Sequence, residues 1–266
     1  METPANYTEL NRQLWNAKTE YHVRSEFYDV EGFLGGKSSL NPIELDLLGD
    51  IRGQSVLHLQ CHFGQDSLSL SRLGARVTGV DLADQAIAKA RELAAQLGLT
   101  AEFVCSDVYE LPNHLHEQFD LVFTTYGVLG WLPDLERWAG VVSRFLKPGG
   151  KFILVEFHPV VWMFDDSFSR VQYSYFNRET IVEVETGTYA DRAAPLEQTA
   201  VSWNHSLGEV LGSLLQQGLK IKHFAEYDYS PYECFNNMEQ VAERRFQLQS
   251  MAGKLPLLYS VVAVKS

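Results

Sequence analysis

Val56-Leu57-His58-Leu59-Gln60-Cys61-His62-Phe63-Gly64-Gln65-Asp66 is the stretch from which the rest of the chain can be read. Val56 to Leu59 has the continuous apolar character of a buried strand, and Gln65 to Leu73 reads as a short helix stopped by Gly74. A strand that turns at once into a helix leaves the first helical N–H groups without partners, which suits the carboxylate or phosphate of a ligand.

The same rhythm continues on the C-terminal side. Val77 to Val80 is a second buried strand. Ala86, Ile87, Ala90, Leu93, Ala94 and Leu97 then recur at steps of three and four, an apolar stripe on a helix that Gly98 ends. Phe103 to Cys105, Leu121 to Thr124 and Phe152 to Phe157 read as three more strands, the last preceded by a helix with Leu135, Trp138, Ala139, Val142, Phe145 and Leu146 on one face. This alternation predicts an α/β fold: a mainly parallel sheet, helices on both faces, and ligands at the carboxyl ends of the strands.

Composition narrows the class. The 266 residues are 45% hydrophobic and 21% charged, as in globular proteins, and long enough to bury a core without staples. Thirty-four acidic against 22 basic residues, a net charge of -12, argue against nucleic acid as a partner. Cys61, Cys105 and Cys234 form no CxxC pair, and no run approaches 18 apolar residues, so the expected setting is cytoplasmic, reducing and away from the membrane. A single domain is expected, acting as a monomer or homodimer: an N-terminal cap over residues 1–50, a core over 52–157, an antiparallel insertion or lid over 158–204, and a closing helix and strands over 205–266. Within the insertion, Val171, Tyr173 and Tyr175 followed by Ile181, Val182 and Val184 predict a hairpin across Asn177-Arg178. Ser206 with Glu209 predicts a capping box for the closing helix, and Ile221 to Tyr227 and Leu258 to Val264 predict its strands.

Strand ends carry the chemical signal. The second ends at Gly79-Val80-Asp81, where a carboxylate could accept both hydroxyls of a ribose; the third ends at Cys105-Ser106-Asp107; the fourth at Thr124-Thr125-Tyr126. Leu146-Lys147-Pro148-Gly149-Gly150 builds a tight reversal into the fifth. In this order and spacing the chain resembles the class I S-adenosylmethionine-dependent methyltransferases over roughly residues 52–160. The resemblance implies a Rossmann-like seven-stranded sheet with an antiparallel C-terminal strand, S-adenosylmethionine as cofactor, and S-adenosylhomocysteine as product. It implies that the first loop (His58, Gln60, Cys61, His62, Gly64) wraps the methionine part, that Asp81 with Leu82 holds the ribose, and that Ser106, Asp107 and Val108 flank the adenine, with Thr125 nearby.

The first loop departs from the family's acidic-x-Gly-x-Gly-x-Gly pattern, because His58, Gln60 and His62 stand where the acidic residue and two glycines are usual. It is similar to a bacterial small-molecule branch with a His-Leu-Gln-Cys-His loop. Negative φ throughout, or a left-handed His62, would restore the turn. His58 and His62 straddle that turn with Cys61 between them and no convergent carboxylate, so no metal is expected. Bulky Gln60 and His62 also disfavour a nicotinamide dinucleotide, which needs close approach of its pyrophosphate.

Methyl transfer is an in-line displacement that demands alignment and exclusion of water, and a base only for a protonated acceptor. His158 after the fifth strand, His205 before the closing helix, and Tyr126 are the candidate catalytic residues. Trp15, Tyr28, Tyr126, Trp131, Trp162 and His205 are candidates for binding a small-molecule acceptor. A cofactor-binding regulatory module without turnover is the rival from another class.

Overall fold

Strand pairing sets the architecture. In the computed structural model, which describes residues 3–266, β1 (Ser55–Leu59) pairs in parallel with both β2 (Arg76–Asp81) and β4 (Phe119–Thr125), Val56 standing opposite Val77 on one side and Leu121 on the other. β3 (Ala101–Cys105) extends the sheet beyond β2, and β5 (Leu146–Phe157) extends it beyond β4. The order is β3-β2-β1-β4-β5-β11-β8, with β11 (Leu258–Lys265) antiparallel to both β5 and β8 (Leu219–Tyr227). The order therefore reverses between β1 and β4, and a crevice opens at their carboxyl ends.

Both faces of the sheet are apolar, as the continuous hydrophobic strands require. On one face Leu121, Phe123, Ile153 and Val155 pack with Leu40, Ile43 and Leu48 around α3 (Pro42–Leu48) and with Leu70 of α4 (Gln65–Arg72). On the other, Val122, Phe152 and Leu154 pack on Trp138 and Phe145 of α6 (Leu135–Phe145) and Leu214 of α7 (Leu207–Gln216). α5 (Asp84–Leu97) buries the predicted stripe of Ala86, Ile87, Ala90 and Leu93. Trp138 is fully buried, a core residue whose truncation would cost about 3–5 kcal/mol.

The covers add elements to their sequence reading and depart from it in the hairpin and the closing helix cap. The N-terminal segment is dominated by an 18-residue helix, α1 (Tyr7–Arg24), followed by the short α2 (Val30–Leu34). The insertion does contain an antiparallel hairpin, but β6 (Ile181–Thr186) pairs with β7 (Glu197–Ser202), Ile181 opposite Ser202, and Val171 makes only one isolated bridge, to Phe164. β7 takes the partnership with β6 that the sequence reading assigns to the alternation at 171–175, and that stretch stays irregular. A further hairpin, β9 (Met238–Ala242) with β10 (Arg245–Leu248), rises from the excursion between β8 and β11. The α7 cap is half the predicted box: Ser206 Oγ accepts from Glu209 N at 3.1 Å, while the Glu209 carboxylate turns to His205.

α1 and the β6–β7 hairpin are stitched together. Asn11 donates through Nδ2 to Val201 O at 2.8 Å and accepts from Val201 N at 3.0 Å, satisfying the outer edge of β7 as a neighbouring strand would. Lys18 pairs with Glu185, and Tyr28 and Tyr189 share a hydrogen bond.

Candidate functional site

The first loop keeps the backbone course that three glycines would give it, with one glycine. Gln60, His62 and Gly64 all have positive φ, 55°, 50° and 80°. Of the two sequence alternatives, the left-handed one holds, and it extends to Gln60; the course with negative φ throughout is excluded. For residues with a Cβ this conformation costs roughly 1–2 kcal/mol each, so neighbours must hold them there. Gln60 Nε2 donates to Val128 O at 2.8 Å. Asp81 Oδ2 accepts from His62 N at 2.7 Å, and the His62 ring meets Trp15 and Phe63 at centroid distances of 5.3 and 4.6 Å. Gly64 is different in kind: a Cβ there would lie 2.8 Å from Phe103 and 2.9 Å from Ala90.

His58, in the place of the usual acidic residue, bonds through Nδ1 to Ser67 Oγ of α4 at 2.8 Å and is 2% exposed. Burial pushes its pKa down to about 3, so it is a neutral strut between β1 and the following helix. His62 Nε2 bonds to His22 Nδ1 of α1 at 2.8 Å. Burial holds His62 down to about 3, and burial followed by the neighbouring His62 holds His22 down to about 2, so both are neutral. Among the described residues their outer nitrogens, His62 Nδ1 and His22 Nε2, have no partner, nor does Gln60 Oε1.

Asp81 stands at the crevice with its two oxygens serving the backbone, Oδ2 from His62 N and Oδ1 from Ala83 N at 2.9 Å. Each oxygen retains a second lone pair for a ligand hydroxyl. Burial lifts its pKa to about 6, against the pull of those N–H groups. Asp107 accepts from Tyr109 N at 2.7 Å and is likewise raised by burial.

Across the crevice, fully buried Glu156 collects the backbone N–H groups of Gly127, Val128, Leu129 and Phe157, which fixes the loop after β4 and leaves Tyr126 at φ 50°. The Tyr126 hydroxyl donates to Glu44 Oε2 at 2.7 Å. Tyr126, Phe157, Trp162, Tyr232 and Phe235 form an aromatic wall, with Tyr126 and Tyr232 at 5.4 Å and Phe157 and Trp162 at 5.6 Å. On the α1 side Trp15 and Trp131 meet edge to face at 5.4 Å, and the Lys18 ammonium lies over both rings at 5.0 and 5.6 Å.

The first loop, Asp81, Asp107, the aromatic wall, Trp15, Trp131 and Lys18 surround one cleft of about 1210 Å³, with His22, Glu44 and Glu156 behind its lining. The eleven residues assigned to the cofactor from sequence line it, from His58 through Gly64, through Asp81, Leu82, Ser106, Asp107 and Val108, to Thr125. Trp15, Tyr28, Tyr126, Trp131 and Trp162 line it as well. Two candidates lie outside its lining. His158 turns to the sheet edge, Nε2 on Glu226 Oε1 at 2.9 Å and Nδ1 accepting from Val160 N at 3.2 Å. His205 is held between Glu209 Oε1 at 2.9 Å and Leu132 O at 2.7 Å. With both nitrogens engaged inside the protein, neither is placed to take a proton from an acceptor in the cleft.

Sequence reasoning missed Glu44, Lys18, His22, Tyr189 and Tyr232. Glu44 alone had a local signal, as the third residue of a helix capped by Asn41; Lys18, Tyr189 and Tyr232 reach the cleft through long-range packing, and His22 stands behind its lining on His62. Among the described residues, no group of three or more His, Cys, Asp or Glu is arranged to hold a metal ion, and no helix is long and apolar enough to cross a membrane.

A ligand with a ribose and an amino-acid tail fits this edge: carboxylates stand after β2 and β3, and unpartnered Gln60 Oε1 and His62 Nδ1 lie in the first loop. The known proteins agree. A family model described as a methyltransferase domain matches residues 56–150. A ubiquinone biosynthesis O-methyltransferase of Xanthomonas oryzae pv. oryzae is 32% identical over 135 residues, 50% of this chain and 56% of that protein. The chain thus spans little more than half the length of that relative. An uncharacterized methyltransferase of Synechocystis sp. is 32% identical over 165 residues, 60% of this chain and 75% of the relative. An S-adenosylmethionine-dependent methyltransferase of Clostridium acetobutylicum superposes with a TM-score of 0.59 at 14% identity, covering 95% of this chain and 99% of the other. Fold, loop course and relatives converge, and the chain belongs to the class I S-adenosylmethionine-dependent methyltransferases.

Proposed function

We propose that the chain methylates an O or N atom of a small-molecule acceptor. The observation that carries this reading is the single cleft that joins the cofactor residues at the carboxyl edge of the sheet to an aromatic chamber under the covers. The first loop with Asp81, Ser106 and Asp107 would hold S-adenosylmethionine, which supplies an electrophilic methyl carbon. The covers orient the acceptor and exclude water, the two things an in-line displacement requires of a protein. The O-methyltransferase name of the Xanthomonas relative favours an oxygen acceptor. The net charge of -12 speaks for a small molecule over a nucleic acid, and the free cysteines suit the cytoplasm.

Calorimetry with S-adenosylmethionine, followed by product detection across a metabolite library, tests the reading. The expected results are saturable binding and at least one methylated product. Charge-assisted bonds to ribose hydroxyls are worth about 1.5–3 kcal/mol, so Asp81→Asn should weaken binding about 10-fold or more. The bond needs the ionised carboxylate, so wild-type affinity should fall as pH drops through about 6, and the Asp81→Asn protein should lose that dependence. Unchanged affinity in a folded variant would remove Asp81 from the site. Binding without any product would favour the regulatory module.

A further inference from the structure

We propose that Tyr126 and Glu44 form a proton relay in which the Tyr126 phenol touches the acceptor atom and passes its proton to Glu44. The proposal rests on the methyl-transfer reading and adds to it the route by which a protonated acceptor loses its proton. Tyr126 leaves the end of β4 at the point where the strand order reverses, with its N–H on Val155 O at 2.7 Å and its ring in the cleft. Glu44 stands behind that ring. It is 0% exposed, lies on α3, and does not line the cleft.

The two Glu44 oxygens have different tasks. Oε1 accepts from Asn41 N at 3.2 Å and Asn41 Nδ2 at 3.1 Å, which completes the helix cap. Oε2 accepts from the Tyr126 hydroxyl, a bond the cap does not need. No cation neutralises this carboxylate among the described residues. Arg244 gives Nη1 to Leu40 O and Asn41 Oδ1, and Lys151 gives Nζ to Leu47 O and Leu48 O. Asp66 of α4 faces Glu44 with like charge, and Tyr232 faces it from the C-terminal segment. Burial first, then Asp66, raises Glu44 to about 7, with the bonds from Tyr126 and Asn41 opposing. A base performs best when its pKa lies near the working pH, and this one does so without a histidine.

The balance is simple. As the acceptor's lone pair forms the bond to the methyl carbon, the carbon–sulfur pair leaves with sulfur. The acceptor's proton moves to the phenol oxygen, and the phenol's own proton moves to Glu44 Oε2. Tyr126 ends as it began, and Glu44 ends neutral. The acceptor this serves is a hydroxyl or an N–H group that arrives protonated.

The test uses the full chain with side-chain carboxyl 13C-labelled glutamate, saturated with S-adenosylhomocysteine, with Glu44→Gln identifying the resonance. Glutamine can keep the cap. The expected Glu44 midpoint is about 7, and Tyr126→Phe should move it upward, because a donor that stabilises the ionised form is lost. A carboxyl that stays ionised down to pH 5, or a midpoint indifferent to Tyr126→Phe, overturns the relay. On an acceptor from the library, Glu44→Gln should lower kcat about 100-fold or more and abolish the acid limb of its pH profile, with KM for S-adenosylmethionine unchanged and partial recovery in Glu44→Asp. Wild-type kcat and limb in Glu44→Gln, or loss of the limb only in Asp66→Asn, refute the relay while methyl transfer stands. A wild-type chain that binds cofactor and methylates nothing refutes the activity, whatever Glu44's titration shows.

Discussion

The two halves of the cleft are built by opposite means. On the side proposed for the cofactor, turns at strand ends place the groups, and backbone N–H groups pin each turn: Cys61 N on Val80 O, His62 N on the Asp81 carboxylate, Ser106 N on Asp81 O. On the acceptor side, segments distant in sequence meet through side chains: Asn11 with Val201, Lys18 with Glu185, Tyr28 with Tyr189. Local backbone geometry tolerates side-chain change as long as φ is kept, which is how Gln60 and His62 can stand where glycines are usual. Side-chain stitching has no such tolerance, but it can open, and a chamber that must admit a substrate needs that freedom.

The largest effect should come from breaking the geometry on the cofactor side at the position with no side-chain tolerance. Gly64→Ala adds left-handed strain of roughly 1–2 kcal/mol to overpacking of about 1–3 kcal/mol, because its Cβ would press on Phe103 and Ala90. Denaturant unfolding should show a loss of about 2–5 kcal/mol, and calorimetry should show cofactor affinity falling with it. A loss below about 1 kcal/mol would mean that the sheet and α5 yield easily here, and that the contrast with the covers is overdrawn.

A smaller effect, of different character, should follow from unstitching the covers. Asn11→Ala leaves the N–H and C=O of Val201 without partners, a cost of about 1–3 kcal/mol. Amide exchange should quicken in residues 197–202 and in α1, while α5 around Leu93 stays unchanged. Cofactor affinity should shift less than about 3-fold, and turnover on an identified acceptor should fall more than that. Equal losses of affinity and turnover would show that the two halves fold and open as one unit.

The same division governs how far the sequence could be read. Strands β1 to β5, the stripe on α5, and the carboxylates Asp81 and Asp107 follow from periodicity and from position at strand ends, signals contained within a dozen residues. The pairing of β6 with β7 does not, because the alternation at Val171 to Tyr175 is as good a strand pattern as the real partner, and the Asn11 contacts on the outer edge of β7 come from a helix some 190 residues away. His158 and His205 have the chemistry of bases, but what engages their nitrogens, Glu226 and Leu132 O, comes from other parts of the fold. Glu44 illustrates the remaining case. Three residues after Asn41 and two after Pro42 it stands where a capping residue would, and a residue that reads as a cap gives no sign that its second oxygen meets a tyrosine 82 positions away.

The smallest effect should come from restoring a glycine in the first loop. Gln60→Gly relieves roughly 1 kcal/mol or more of left-handed strain and removes the buried, unpartnered Oε1. Against this stand the lost Nε2 bond to Val128 O, about 0.5–1.5 kcal/mol, and the greater freedom of glycine in the unfolded chain, about 0.5–1 kcal/mol. The opposing contributions nearly cancel, so unfolding measurements should place the variant within about 1 kcal/mol of wild type. Cofactor affinity supplies the finer distinction. If Oε1 is unpartnered because it awaits a donor on the ligand, S-adenosylmethionine should bind about 3-fold to 10-fold more weakly to the equally stable variant. If binding is unchanged or tighter, the loop needs only its backbone course, and Gln60 is a substitute for glycine that the fold tolerates rather than a group the cofactor uses.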